Sequence, residues 1–83
     1  MEARPEAKQG DFVEAIVLNG GGKVQGVLML RQINVCFVEV PRAGRVPCNF
    51  EQILLVIPDE QLTPEQILFR AQMRGKLNQG KKN

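Results

Sequence analysis

The sequence predicts a mainly β fold, in which five short strands form one small barrel and a single α-helix follows it. Three observations carry this prediction. Asn19 and the three glycines at 20–22 separate two runs rich in Val, Ile and Leu, and they accept the backbone angles of a tight hairpin. Gly26 lies inside the second run, where a glycine indicates a sharp bend or a close backbone contact. Pro58 ends the last apolar run, and a strong helix start follows it.

The length of 83 residues allows one domain at most. We predict a flexible N-terminal arm over 1–9, the barrel over 10–58, the helix over 62–75 and a disordered basic tail over 76–83. A core of this size gives a stability of about 3–5 kcal/mol, which oligomerisation would increase.

The composition argues against several classes of function. The chain has no His, Tyr or Trp, and because histidine carries much acid–base chemistry, we do not expect an enzyme. Its two cysteines fit neither a zinc site nor a disulfide scaffold, and no cofactor or metal is expected. The sequence lacks both a long apolar run and a signal peptide. It therefore predicts a cytoplasmic protein with reduced thiols and no membrane association.

Charge is distributed unevenly along the chain. The formal net charge is +2, but no acid follows Glu65, and the five basic residues beyond it give this part a charge of +5. The rest of the chain carries six basic and nine acidic residues, which gives −3. Such an asymmetry indicates nucleic acid or an acidic partner, or simply a solvated C-terminus.

The first two strands are predicted over 12–18 and 23–32. The first is apolar on both faces, which indicates that a helix or a second subunit covers its outer face. One face holds Val13, Ala15 and Val17, and the other holds Phe12, Ile16 and Leu18. The predicted core face of the second strand consists of Val24, Gly26, Leu28 and Leu30.

The third strand, over 35–40, leads into a hairpin. A turn at Arg42 and Ala43 with Gly44 in a left-handed bulge gives a self-consistent apolar face. The predicted pairs are Val40 with Val46, Val38 with Cys48, and Cys36 with Phe50. The two cysteines are then diagonal neighbours about 7–8 Å apart, too far for an unstrained disulfide, and we interpret both as small buried side chains. One helical turn over 49–52 and a last strand over 53–57 follow.

The helix start is defined by a capping box. Thr63 is the N-cap, Pro64 takes the first helical position and Gln66 completes the box. The helix is predicted to reach Arg74 and to stop at Gly75. Its apolar residues form two faces, which indicates that it packs on its own barrel and on a neighbouring subunit. One face holds Ile67, Leu68 and Ala71, and the other holds Phe69 and Met73.

Two stretches give the chain a family resemblance. Val-Leu-Asn-Gly at 17–20 with Lys-Val-Gln-Gly-Val-Leu at 23–28 resembles the first motif of Sm-like proteins, bacterial Hfq in particular. The run from Phe50 to Pro58 resembles the end of the same fold. The resemblance covers residues 12–58 and implies an SH3/Sm-like barrel, a homo-oligomeric ring and RNA binding. Glu51 and Gln52 stand near the positions at which the family carries the basic pair of its inner RNA pocket. An acid and an amide there would repel or barely hold a phosphate, so the resemblance supports the fold better than the recognition of uridine-rich RNA.

Two functions follow as hypotheses. In the first, the chain is a homo-oligomeric Sm-like barrel that binds RNA or single-stranded nucleic acid through basic loops and the tail. In the second, it is an SH3-like interaction or assembly module without nucleic-acid binding, which engages a protein partner through the C-terminal helix and exposed apolar residues. The candidate nucleic-acid contacts of the first hypothesis are Lys23, Arg31, Phe37, Arg42, Arg45, Arg70, Arg74 and Lys76.

Overall fold

Four antiparallel strands close into a barrel, and one α-helix follows them along the chain. A computed structural model describes residues 7–81, without the side chains of Leu54 and of 78–81. This architecture confirms the predicted fold class, a mainly β barrel followed by a C-terminal helix. The elements are β1 (Phe12–Val17), β2 (Lys23–Arg31), β3 (Val35–Val40), β4 (Gly44–Val56), a 3₁₀ turn (Asp59–Gln61) and α1 (Pro64–Lys81).

β4 supplies both of the last two predicted strands. Its first part pairs with β3 and its second part with β1, which closes the barrel. The predicted helical turn over 49–52 is wrong, because this stretch continues as strand. Two backbone amides of this stretch donate hydrogen bonds to acceptors that do not require a helix. The Phe50 amide donates to the carbonyl oxygen of Asn34 at 2.9 Å, and the Glu51 amide donates to the side chain of Asn49 at 3.0 Å.

Gly26 lies close to the backbone of β3. A Cβ atom at this position would lie 2.2 Å from the carbonyl oxygen of Glu39 and 2.8 Å from Cγ1 of Val38. On the other side of β2, Gly26 pairs with Val13 of β1. Because no side chain fits here, the close backbone contact, one of the two reasons predicted for this glycine, accounts for it.

The β3–β4 hairpin turns one residue earlier than predicted. The carbonyl oxygen of Val40 accepts from the Ala43 amide at 3.0 Å, so Pro41 and Arg42 are the central residues, and Arg42 has a φ of 68°. The fixed φ of proline suits the first central position. The observed pairs are Val40 with Gly44, Val38 with Val46, and Cys36 with Cys48. The predicted register is therefore wrong by two residues, although the same side chains face inward.

The two cysteines are direct neighbours across the strands, not diagonal ones. Both Cys36 and Cys48 are free thiols with no exposed surface, which confirms that they are small buried side chains. Burial, together with the neighbouring Cys48 thiol, raises the pKa of Cys36 to about 11, and burial raises the pKa of Cys48. Both thiols are therefore protonated at neutral pH and pack as apolar groups.

Two apolar clusters lie on opposite faces of the β1–β2 sheet. Burial of each large side chain in them stabilises the fold by about 1.5–3 kcal/mol. The barrel interior holds Ala7, Val13, Ala15, Leu28, Cys36, Val38, Cys48 and Ile53. The second cluster lies between the outer face of the barrel and α1, and it holds Phe12, Val27, Met29, Ile57, Leu62 and Met73. The helix thus covers the outer face of β1 at Phe12, whereas Leu18, at the other end of the same predicted face, is 46% exposed.

Leu30 does not lie on the predicted core face of β2. The pairing with β3 is irregular between Leu28 and Leu30, which places Leu30 opposite Phe37. Leu28 has no exposed surface, whereas Leu30 is 41% exposed. The prediction for Leu30 is wrong because one extra residue in a strand moves the following side chains to the other face.

The helix begins as predicted and ends later. The Thr63 hydroxyl accepts from the Gln66 amide at 3.1 Å, and the Gln66 side chain accepts from the Thr63 amide at 2.9 Å, which confirms the capping box. The predicted stop at Gly75 is wrong, because Gly75 does not adopt the left-handed conformation that ends a helix and α1 reaches Lys81. Residues 76–81, predicted as a disordered tail, belong to the helix, and residues 82–83 lie outside the described part.

α1 packs on the barrel through one face. Met73 is buried, and Phe69 and Leu77 are partly buried against the same cluster. Ile67 and Leu68, on the other predicted face, are 39% and 61% exposed. The predicted contact of the helix with its own barrel is confirmed, and its contact with a neighbouring subunit stays a prediction. In the stretch from residue 7 to residue 81, no helix is long and apolar enough to span a membrane.

The predicted N-terminal arm over 1–9 contacts the barrel where it is described. Ala7 is buried in the barrel interior. The side-chain amide of Gln9 donates to the carbonyl oxygen of Met29 at 2.8 Å. Residues 1–6 lie outside the described part.

Candidate functional site

Three of the predicted nucleic-acid contacts form ion pairs with acids of the same chain. The pairs within the described residues are Lys23 with Glu14 at 3.6 Å, Arg45 with Glu39 at 3.4 Å, and Arg70 with Asp59 at 2.5 Å. Each acid lowers the positive potential that a phosphate group would meet at its partner.

Arg70 joins the 3₁₀ turn to α1. Its side chain is only 11% exposed, whereas that of Asp59 is 71% exposed. The hydrogen bond and the charge of Arg70 lower the pKa of Asp59. Arg70 is therefore committed to an internal contact, and it is not available to an external ligand.

Two further predicted arginines make contacts within the molecule. The guanidinium of Arg31 lies 3.8 Å from the centre of the Phe50 ring, a cation–π geometry. The Nε atom of Arg74 donates to the carbonyl oxygen of Gly10 at 2.9 Å, which ties the helix to the residue before β1. Both side chains thus support the fold.

The remaining predicted contacts lie on separate elements. Arg42 is exposed at the tip of the β3–β4 turn, and Lys76 is exposed on α1. Neither side chain has an acidic partner within residues 7–81. Phe37 faces outward on β3, as its position in the strand predicts, and it is half-buried. The structure does not bring the eight predicted residues together on one basic surface.

The structure instead brings four apolar residues into one line on the outer face of the barrel. We call Leu18, Leu30, Phe37 and Pro47 the outer row. Phe37 pairs with Leu30 on one side and with Pro47 on the other. The Leu18 amide donates to the carbonyl oxygen of Pro47 at 3.0 Å, which adds Leu18 at the end of the line. Because paired residues share a face, all four side chains lie on the outside.

The outer row is exposed and uncharged. Leu18 is 46% exposed and Leu30 is 41% exposed, and Pro47 is also exposed. Four neighbouring chain segments at their usual spacing give the row a length of about 15 Å. On the side of the β3–β4 turn, the outward-facing pair next to Phe37 and Pro47 is Glu39 with Arg45. An ion pair therefore borders the outer row on that side.

A further apolar side chain is exposed at the other end of the strands. Ile33, in the β2–β3 turn, is 86% exposed. Leu30, close before it in the chain, belongs to the outer row. Exposed apolar residues that lie side by side, as those of the outer row do, are typical of surfaces that bind other proteins.

The described residues provide no metal site. No group of three or more His, Cys, Asp or Glu side chains among residues 7–81 is arranged to hold a metal ion. The two thiols are buried and protonated, so they are not nucleophiles in the folded barrel.

The outer row is the site that sequence reasoning missed. The alternation of strand residues is enough to place Phe37 and Leu18 on the outside. The sequence predicts that Leu30 points inward, and the predicted hairpin register does not pair Pro47 with Phe37. Both errors hide the outer row. Only the correct register of three strand pairs shows it.

Comparison with known proteins adds no relative. No protein-family profile, curated protein or solved structure matches the chain.

Proposed function

We propose that the chain is a protein-interaction module, a small SH3-like barrel that binds an apolar segment of a partner protein on the outer row. The observation that carries this proposal is the continuous line of four uncharged apolar side chains across the barrel, with two leucines more than 40% exposed. Removal of such side chains from water is the main driving force of protein association.

The charges of the molecule favour a protein over a nucleic acid at this site. The row contains one aromatic side chain, whereas single-stranded nucleic acids are bound by several aromatic side chains and a continuous cationic groove. On the hairpin side of the row, the cation Arg45 is bound to Glu39. A partner that contributes apolar side chains meets no unpaired charge at this border.

The proposal is tested with a pair of matched variants. Leu30→Ser removes a side chain of the row, and Leu55→Ser removes an equally exposed leucine of β4 outside it, since the two are 41% and 39% exposed. A partner captured from nuclease-treated lysate is purified, and its affinity for wild type and both variants is measured by calorimetry. We expect Leu30→Ser to weaken binding at least about tenfold and Leu55→Ser to leave it within about twofold.

Two results would contradict this assignment. One is equal binding by wild type and Leu30→Ser, and the other is an equal loss in both variants. Circular dichroism first establishes that both variants are folded. The first result then places the partner on another surface, and the second shows that Leu30 contributes no more than a leucine outside the row.

Nucleic-acid binding is the second candidate function, and one observation favours it. α1 carries no acid after Glu65, and Arg74 and Lys76 lie on its exposed surface. Fluorescence anisotropy with single-stranded RNA at about 50 and 200 mM salt tests this, because phosphate contacts make affinity fall steeply with salt. If α1 binds phosphate, Lys76→Gln lowers the affinity and the salt dependence. Affinities that are the same with and without Lys76 exclude this part of the helix.

A further inference from the structure

The exposed face of α1 forms a second apolar surface. Ile67, Ala71 and Gly75 follow one another at a spacing of four residues, and Leu68 lies beside them, so that all four share one side of the helix. We call these four residues the helix band. All are exposed, and the side of α1 that packs on the barrel, around Met73, lies nearly opposite.

Among the described residues, no contact accounts for a glycine at position 75 of the helix. Outside its chain neighbours and its own helix backbone, a Cβ atom there would have no described heavy atom within 4 Å, and the φ of Gly75 is not positive. Glycine in a helix interior lowers helix stability relative to alanine. Close approach of another backbone from outside the molecule is a physical reason for a glycine here.

Two charged residues border the helix band on the same flank. Glu65 and Lys76 are eleven positions apart, which is three helical turns, or about 16 Å along the axis. Both side chains are exposed, and within the described residues neither has an ion-pair partner. An acid at the start of the helix and a base three turns later are complementary to the same helix in the reverse direction.

We propose that a second copy of this chain packs on the helix band, with the two α1 helices antiparallel. A two-fold axis between Arg70 and Ala71 places Glu65 of each copy opposite Lys76 of the other. The same axis places Ile67 of one copy against the small residues Ala71 and Gly75 of the second copy. A parallel arrangement places this flank of the two copies on opposite sides of the helix pair and gives no charge complementarity.

This dimer is independent of the partner proposed for the outer row, because the two surfaces are formed by different elements. α1 contacts the barrel through its inner face, so the helix band points away from its own barrel. One helix pair buries less surface than a standard protein interface, and we therefore expect a dissociation constant in the range of about 1–100 μM.

Sedimentation equilibrium of the full chain over about 1 μM to 1 mM tests the proposal. Wild type is expected to change from monomer to dimer over this range. Glu65→Lys and Lys76→Glu are each expected to weaken dimerisation about tenfold, because each exchange creates two like-charge contacts across the axis. The double exchange restores the complementary pairs and returns the dissociation constant to within about threefold of wild type.

Gly75 provides a second test, in which the stability of the monomer and that of the dimer change in opposite directions. Gly75→Ala is expected to raise the melting temperature of the monomer and to weaken the dimer, since it improves the helix and obstructs the contact. A general folding defect lowers both. The proposal is overturned by a wild type that stays monomeric at about 1 mM, by a dimer that Gly75→Leu leaves intact, or by charge exchanges that show no rescue.

Discussion

At the scale of single residues, Gly26 is, among the described glycines, the one where an added side chain meets the most severe clash. Its Cβ site lies 2.2 Å from the Glu39 carbonyl oxygen, a backbone atom that cannot move without disturbing β3. The close contact is predictable from sequence as one of two alternatives, because a glycine in the middle of an apolar strand indicates a bend or a close backbone contact. The identity of β3 as the neighbour is not predictable in this way, since it depends on a pairing between residues that are distant in the chain.

We expect Gly26→Ala to destabilise the protein by at least about 3 kcal/mol, the upper part of the range for overpacking. This is comparable with the whole stability of a domain of this size. Gly20→Ala is a control at a site with open space, although its φ of 77° is strained for alanine and costs about 1–2 kcal/mol. Urea unfolding followed by circular dichroism measures both, and a Gly26→Ala variant as stable as wild type would refute the steric requirement for glycine at this position.

At the scale of elements, hydrogen bonds between residues close in the sequence are predictable, whereas the register of the β3–β4 pair is not. The capping box of α1 involves residues within three positions of each other, and their hydrogen bonds were correctly predicted from the sequence. The β3–β4 register depends on whether Pro41 or Arg42 takes the first central turn position, and a shift of one residue there moves every later pair by two. The bulge before Leu30 moved one member of the outer row to the face that the alternation did not predict.

The two faces of α1 have different energetic roles. Met73 is 6% exposed within the outer cluster, whereas Leu68 is 61% exposed. We expect Met73→Ala to cost about 2–4 kcal/mol through the lost contacts and the cavity, and Leu68→Ala to cost less than about 0.5 kcal/mol at concentrations where the chain is monomeric. Thermal and urea unfolding at about 1 μM measure both, and equal effects of the two variants would contradict the observed orientation of the helix.

At the scale of the whole molecule, the barrel interior restricts the pH range of stability. The pKa of Cys36 is about 11 in the folded barrel, above its ordinary value of 9.0. A raised pKa means that the folded state holds the proton more tightly. The resulting stability is therefore complete below pH 9, and it is lost as the pH rises toward 11 and the thiols of the unfolded chain ionise.

We expect thiol burial to account for a loss of about 1–3 kcal/mol of stability between pH 9 and pH 11. Urea unfolding at several pH values measures it, and the double variant Cys36→Ala with Cys48→Ala serves as the reference, since it lacks the two thiols and keeps every other ionisable group. The difference in unfolding free energy between wild type and the reference should decrease toward high pH. A constant difference would show that thiol burial has no part in the alkaline loss.

The two thiols in the barrel interior also make the opening of the barrel measurable by chemical labelling. Cys36 and Cys48 face each other across β3 and β4 and have no exposed surface, so a thiol reagent reaches them only when the strands separate. The rate of labelling in native buffer then measures how often the closed barrel opens, without an added probe. A partner that holds the barrel shut would slow the labelling, whichever surface it occupies.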